Sequence, residues 1–153
     1  MIVDESSVIR DGLCTLLAPA ADIDVVAATD SGARAVHLAA VHGPHVLVTG
    51  LHLRGMSCLD LLRRLDAERL PVRPRLVVFA QHDNEDMVKD VLQAPTHGLL
   101  VKDTSREELA GAVRAAARGE AVFSPSVSHR LVEWYRTAAA AGSGQPPAPH
   151  CSR

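Results

Sequence analysis

Two acidic side chains and one basic side chain follow apolar segments that have the character of buried strands. Asp4 and Glu5 come directly after Ile2–Val3, and Lys102 comes directly after Leu99–Val101. In an open parallel sheet, the functional crevice forms outside the carboxyl ends of the strands. These charged residues are therefore candidates for a functional site if the fold brings the ends of the two strands together.

A glycine stands at the end of another apolar segment, Val46–Thr49, where it is followed by a loop and a helix. An acyl phosphate can form only on a carboxylate oxygen, and Gly50 has no side chain. The neighbouring Thr49 carries a hydroxyl, and its side chain is expected on the opposite face of the strand. The sequence therefore predicts that phosphoryl transfer does not occur at this strand end.

Apolar strands and amphipathic helices alternate along most of the chain. The predicted strands are Ile2–Val3, Val25–Ala28, Val46–Thr49, Leu76–Phe79 and Leu99–Val101. The predicted helices are Ser7–Ala18, Ser31–His42, Ser57–Ala67, Glu85–Gln93 and Ser105–Arg118. Strands that are apolar throughout and alternate with helices favour a parallel sheet with both faces covered. We therefore expect an α/β fold with a doubly wound, five-stranded parallel sheet, whose functional crevice lies at the carboxyl ends of the strands.

The C-terminal part of the sequence predicts a connector, a further helix and a tail. The expected boundaries are a domain over 1–123, an extension helix over 124–141 and a disordered linker over 142–153, which is rich in Gly, Ser and Pro. Leu131, Trp134 and Tyr135 share one face of the helix. This stripe either packs on the core or forms a dimer contact, and the sequence favours neither.

Composition excludes several classes of protein. A formal net charge of −2 and a pI near 6.4 argue against strong intrinsic binding to nucleic acid. The three cysteines have no metal or redox spacing, and no apolar run approaches the ~18 residues of a membrane span. The expectation is a soluble cytoplasmic protein that makes no contact with membranes.

The motifs Asp4-Glu5, Gly55-Met56 and Gly98–Thr104 together resemble the receiver domain of NarL/FixJ (LuxR-type) response regulators, over roughly residues 1–125. The resemblance implies a flavodoxin-like fold with strand order 2-1-3-4-5. It also implies that Asp4 and Glu5 correspond to residues that hold Mg²⁺, and that Lys102 corresponds to a lysine that pairs with the phosphoryl group.

The sequence departs from the family pattern at three positions. Gly50 stands where the family has its phosphoacceptor aspartate, Ala80 where it has a hydroxyl residue, and Leu99 where it has an aromatic residue. The resemblance therefore predicts a degenerate pocket that binds Mg²⁺ weakly at most. We expect an ion-pair cluster of Asp4, Glu5 and Lys102 to replace the metal and the phosphoryl group.

These features predict a non-enzymatic pseudo-receiver in signal transduction and transcriptional regulation that acts independently of phosphorylation. Dimerisation, a partner protein or a small-molecule ligand would then provide its control, and DNA would be contacted only through an output domain that lies outside this chain. The alternatives are a small α/β phosphohydrolase or nucleotide-binding enzyme, or a small-molecule-sensing module. Asp4-Glu5-Ser6 provides neither the Asp-x-Asp of the hydrolases nor a glycine-rich turn. Only three residues precede Asp4, so the first strand is either unusually short or has lost its beginning.

Overall fold

The computed structural model describes residues 1–80, 85–101 and 103–141, and the elements alternate between strand and helix along the chain. The strands are β1 Ile2–Val3, β2 Ala28–Thr29, β3 Val46–Thr49, β4 His52–Leu53, β5 Met56–Ser57, β6 Arg75–Ala80, β7 Gly98–Val101 and β8 Val122–Phe123. The helices are α1 Ser7–Leu17, α2 Gly32–His42, α3 Cys58–Ala67, α4 Glu85–Gln93, α5 Arg106–Ala117 and α6 Pro125–Ala141. The chain divides into one unit over Met1–Phe123 and a second that begins at Ser124 and contains α6.

Six strands form one parallel sheet in the order β2-β1-β3-β6-β7-β8. The predicted doubly wound α/β fold is confirmed, and the five predicted strands have the order 2-1-3-4-5 that the resemblance implies. The sixth strand, β8, was not predicted and lies in the segment that we expected to be a connector. This strand can be recognised only from its pairing with β7. Val122 N donates a hydrogen bond to the carbonyl of His97, next to β7, at 2.9 Å.

The second strand is shorter than predicted and starts later along the chain. The apolar run Val25–Ala28 predicts a strand, yet only Ala28 and Thr29 pair with β1. The reason is the length of β1, which has two residues and pairs Ile2 with Ala28. Val25 and Val26 therefore have no strand beside them.

Local sequence signals fix the ends of the helices in unit 1. The Ser31 hydroxyl accepts a hydrogen bond from Arg34 N at 3.3 Å and caps α2, which ends at Gly43 with φ 57°. Ser57 and Asp60 form a reciprocal capping box at the start of α3. These boundaries agree with the predicted ones, because capping residues act on the backbone next to them. No helix in the described ranges is both long enough and apolar enough to cross a bilayer.

The two faces of the sheet carry separate apolar cores. One core lies on the α1 and α5 side and includes Ile2, Leu13, Leu17, Val48, Val77, Leu100 and Leu109. The other lies on the α2 and α3 side and includes Val3, Ala35, Leu47, Leu61, Leu65 and Leu76. Alternate residues of each strand enter opposite cores, so both faces of the sheet are covered. This packing fixes where each strand ends.

Gly98 provides a test of how closely β7 approaches β8. A Cβ at this position would overlap the carbonyl oxygen of Val122, a backbone atom that has no rotamer to change. We predict that Gly98→Ala lowers the free energy of unfolding by about 1–3 kcal/mol, as overpacking does in other cores. Urea unfolding followed by circular dichroism measures the change.

Gly111→Ala is the matched control for this substitution. Gly111 lies within α5, and a Cβ there would have no heavy atom within 4 Å. This variant should be more stable than the parent by about 0.5–1 kcal/mol, because alanine favours the helix. Equal stability of the two variants would contradict the close approach of β8.

Candidate functional site

Asp4 lies at the carboxyl end of β1, where the backbone and its own side chain are both fixed by hydrogen bonds. Its N–H donates to Thr29 O at 3.1 Å, and its carbonyl accepts from Arg10 Nη1 at 2.7 Å. Its Oδ1 accepts from Ser6 N at 2.9 Å, and the residue is only 3% exposed. The carboxylate is therefore turned into the protein.

Gly50 lies at the end of the neighbouring strand, β3, directly beside that carboxylate. Its N–H donates to Val3 O at 2.8 Å, so the sheet fixes its position. A Cβ built on Gly50 would overlap Oδ2 of Asp4 and lie 2.9 Å from its Cγ. The Asp4 carboxylate thus fills the volume that a side chain at position 50 would need. Thr49 does not supply a substitute, because it is fully buried and its Oγ1 donates to the Gly50 carbonyl at 3.0 Å.

Burial is the largest electrostatic influence on Asp4, and it raises the pKa of the carboxyl group. The hydrogen bond from Ser6 N opposes this effect, since it favours the charged form. The charge of Glu5 raises the pKa further, and that of Arg10 lowers it. The protein environment therefore favours the protonated, uncharged form of Asp4 more than water does.

The donor set at this strand end does not fit Mg²⁺ as the residues are arranged. Magnesium requires several oxygen ligands in octahedral geometry. Asp4 directs one oxygen to the N–H of Ser6 and the other beneath Gly50, whereas Glu5 is exposed. Within residues 1–80, 85–101 and 103–141, no cluster of three or more His, Cys, Asp or Glu residues is placed to hold a metal.

The other predicted pocket residues lie on the neighbouring strands. Ala80 ends β6, is 1% exposed and pairs with Val101 of β7. Leu99 is fully buried within β7. Neither side chain has a hydrogen-bonding atom, so neither can hydrogen-bond a bound anion. Lys102 lies outside the described residues, and the proposed ion-pair cluster stays a prediction.

The loop after Gly50 forms a hairpin that the sequence analysis missed. Strands β4 and β5 pair through a two-residue turn, Arg54-Gly55, in which Gly55 has φ 88°. Arg54 N donates to Asp30 O at 2.8 Å, and Gly32 N donates to Arg54 O at 3.3 Å. The loop is thereby bonded to the start of α2. The glycine of the turn was the available signal, since it permits the positive φ.

A second glycine completes this attachment. The side chain of Met56 packs against Gly32 so closely that a Cβ there would lie 2.9 Å from its Cε. Gly32 is the first residue of α2 and is buried. The contact fixes the hairpin to the start of α2, and no pattern local to either residue reveals it.

Comparison with known proteins identifies the family. The model of the response regulator receiver domain matches residues 1–114. The transcriptional regulatory protein DegU of Brevibacillus brevis is 30% identical over 136 residues, which are 89% of this chain and 57% of DegU. The nitrate/nitrite response regulator protein NarP of Escherichia coli is 35% identical over 133 residues, 87% of this chain and 61% of NarP. The chain thus spans about three-fifths of the length of these relatives.

The fold agrees with a solved receiver structure. The signal receiver domain of the response regulator NarL from Mycobacterium tuberculosis has a TM-score of 0.70 and 28% identity, with 78% of this chain and 94% of that chain covered. These relatives are regulators and not enzymes, as the sequence predicted. The chain belongs to the response regulator receiver domain family and is of the NarL/LuxR type.

Proposed function

We propose that this receiver domain acts in a two-component system without aspartyl phosphorylation. The observation that carries the proposal is the contact between Asp4 and Gly50. The position that would need a carboxylate has no side chain, and the carboxylate of Asp4 fills the space that one would occupy. The site thus lacks the nucleophile, and the Asp4 carboxylate would have to move before a side chain at position 50 could fit.

Asp4 does not itself replace the missing acceptor. An attacking carboxylate must reach the phosphorus atom of a donor in solution. Asp4 is 3% exposed, which opposes this approach. Burial also raises the pKa of its carboxyl group.

The pocket also lacks the parts that would transmit a phosphoryl signal. A hydroxyl at position 80 would be needed to hydrogen-bond a phosphoryl oxygen, and Ala80 has none. Leu99 is packed between β6 and β8, where its neighbours in register are Val78 and Phe123. Its side chain is fully buried and fixed by the core. The activity of the protein must therefore be controlled by an interaction other than phosphorylation, one that has different affinities for two conformations of the protein.

We further propose that this interaction is dimerisation, tuned by a partner protein or a small-molecule ligand. The outer side of α5 is open, since a Cβ at Gly111 would meet no atom within 4 Å. In α6, Tyr135 is 51% exposed. These helices offer surface for a second copy of the chain, and DNA contact would belong to an output domain such as those of full-length relatives.

The first experiment tests phosphorylation directly. The protein is incubated with acetyl phosphate and Mg²⁺, and its intact mass is measured. We expect no phosphoryl adduct, because Gly50 has no carboxylate and the carboxylate of Asp4 is buried. An adduct that is present in the parent protein and absent from Asp4→Asn would show that Asp4 is an acceptor, and would refute the proposal.

A double-mutant cycle tests the contact that carries the proposal. Gly50→Ala should lower the free energy of unfolding by about 1 kcal/mol, because the added methyl group displaces the Asp4 carboxylate from its hydrogen bond with Ser6 N. Its backbone is not the cause, since Gly50 has no positive φ. In the Asp4→Ala background the same substitution should cost less than about 0.5 kcal/mol, which is a coupling of the size found for residues in contact. Additive effects would mean that the two residues do not share this space.

Sedimentation velocity over a dilution series tests dimerisation. We expect a monomer–dimer equilibrium whose dissociation constant rises at least about tenfold in Gly111→Arg or Tyr135→Glu, since each places a charge on a proposed interface. Arg69→Glu, at an exposed position outside both helices, is the control. A protein that is monomeric at every concentration would contradict the proposed dimerisation. It would not affect the separate proposal that the protein acts without phosphorylation.

A further inference from the structure

A cavity of about 280 Å³ lies between the end of α3, the start of β6 and the segment that leads into β7. Its apolar walls are formed by Leu62, Leu65, Pro74, Leu76 and Pro95. Three charged side chains and one imidazole also line it, namely Asp66, Arg73, Arg75 and His97. The cavity therefore places a titratable ring in a largely apolar space that has charged groups at its border.

The main chain of His97 is bonded to both neighbouring strands. Its N–H donates to Leu76 O at 2.7 Å, and its carbonyl accepts from Val122 N at 2.9 Å. A Cβ at the adjacent Gly98 would lie 3.6 Å from Val77 Cγ1, in the core on the α1 and α5 side. Because side chains alternate along a strand, the ring of His97 faces α3. A movement of this residue is therefore a rotation of its side chain.

One ring nitrogen of His97 has no hydrogen-bond partner. Within the ranges that the structure describes, Nδ1 is buried and neither donates nor accepts a hydrogen bond. A neutral imidazole leaves this nitrogen unsatisfied in either tautomer, and an imidazolium places an unpaired N–H there. An unpaired buried group costs more when it is charged. The present position of the ring therefore disfavours its charged form.

The charged groups at the border of the cavity come from three segments. Asp66 belongs to α3, Arg73 to the loop before β6, and Arg75 to β6. Arg73 Nη2 donates to Asp66 Oδ1, whereas Arg75 Nη1 donates to the carbonyl of Ala117 at 2.6 Å. The segment before β7 contributes Pro95, which is uncharged. Two cations and one carboxylate thus surround the ring.

Burial lowers the pKa of His97, and the positive charge of Arg75 lowers it further. The ring is therefore neutral at neutral pH and becomes charged only as the solution turns acidic. Among the described residues that line the cavity, Asp66 alone carries a carboxylate that can accept from an imidazolium. The cavity of about 280 Å³ is several times larger than the roughly 30 Å³ that a water molecule takes in the liquid, so the ring has room to turn.

We propose that His97 is the sensor of an acid-driven switch, in which the protonated ring turns within the cavity, pairs with Asp66 and releases Arg73. Arg73 is released because two cations at one carboxylate repel each other. It lies at an exposed position in the loop that joins α3 to β6, so proton uptake by a half-buried ring becomes a movement at the surface. This input requires no phosphoryl group and does not involve the crevice at Gly50.

The test follows the Cε1–H of His97 and the Nε–H of Arg73 by NMR between about pH 7.5 and 5.0, the range in which histidine changes its charge. Both signals should change with one midpoint, below the ordinary pKa of a histidine, because the two events are coupled. In Asp66→Asn the midpoint of His97 should fall by at least about 0.3 pH unit, since the imidazolium loses its acceptor. The response of Arg73 should disappear in the same variant.

Two histidine variants show whether the response of Arg73 originates at His97. His97→Gln should abolish it, and His37→Gln, at an exposed position of α2, should leave it unchanged. A response of Arg73 that persists in His97→Gln, or a midpoint of His97 that is the same in Asp66→Asn, would overturn the proposal. Asp66 is exposed, so its variant decides the question even if His97→Gln does not fold. Phosphorylation enters none of these measurements, and the two proposals therefore fail separately.

Discussion

The contact between the Asp4 carboxylate and the bare backbone of Gly50 determines the chemistry of the crevice. Hydrogen bonds of the sheet fix both residues, since Asp4 N–H is bonded to Thr29 O and Gly50 N–H to Val3 O. The carboxylate can turn inward only because Gly50 lacks a Cβ. The acidic group is buried, and burial raises its pKa. The absence of a side chain at Gly50 thus leaves this position without a nucleophile and also changes the environment of Asp4.

The surroundings of this contact favour a fixed crevice. The hairpin that follows Gly50 is bonded to Asp30 and Gly32, and Met56 packs into the space that Gly32 leaves. Leu99 is fixed in the core between two strands. A receiver that switches needs two arrangements of its loops with similar free energies. The contacts described are those of one such arrangement, and the proposal places the control of the protein at a surface remote from the crevice.

The sequence predicted those parts of the fold that depend on nearby residues. Ser31, Gly43 and Ser57 mark helix ends by bonding to adjacent backbone, and apolar runs identify the central strands. The errors arise where a partner distant in sequence decides the outcome. β8 forms because it pairs with β7, and β2 starts late because β1 is short. In the site, the sequence itself shows that Gly50 has no carboxylate. The burial of Asp4 depends on its contact with Gly50, which lies 46 residues further along the chain.

Chemical shifts of the Gly50 amide during addition of beryllofluoride and Mg²⁺ test the central claim most directly. Beryllofluoride binds an accessible receiver carboxylate as a phosphoryl group would, so binding at Asp4 would require its carboxylate to leave the space beneath Gly50. If the carboxylate occupies this space stably, the ¹⁵N and ¹H shifts of Gly50 stay unchanged throughout the titration. A saturable shift at Gly50, accompanied by loss of protection of the Ser6 amide that donates to Asp4, would contradict the account.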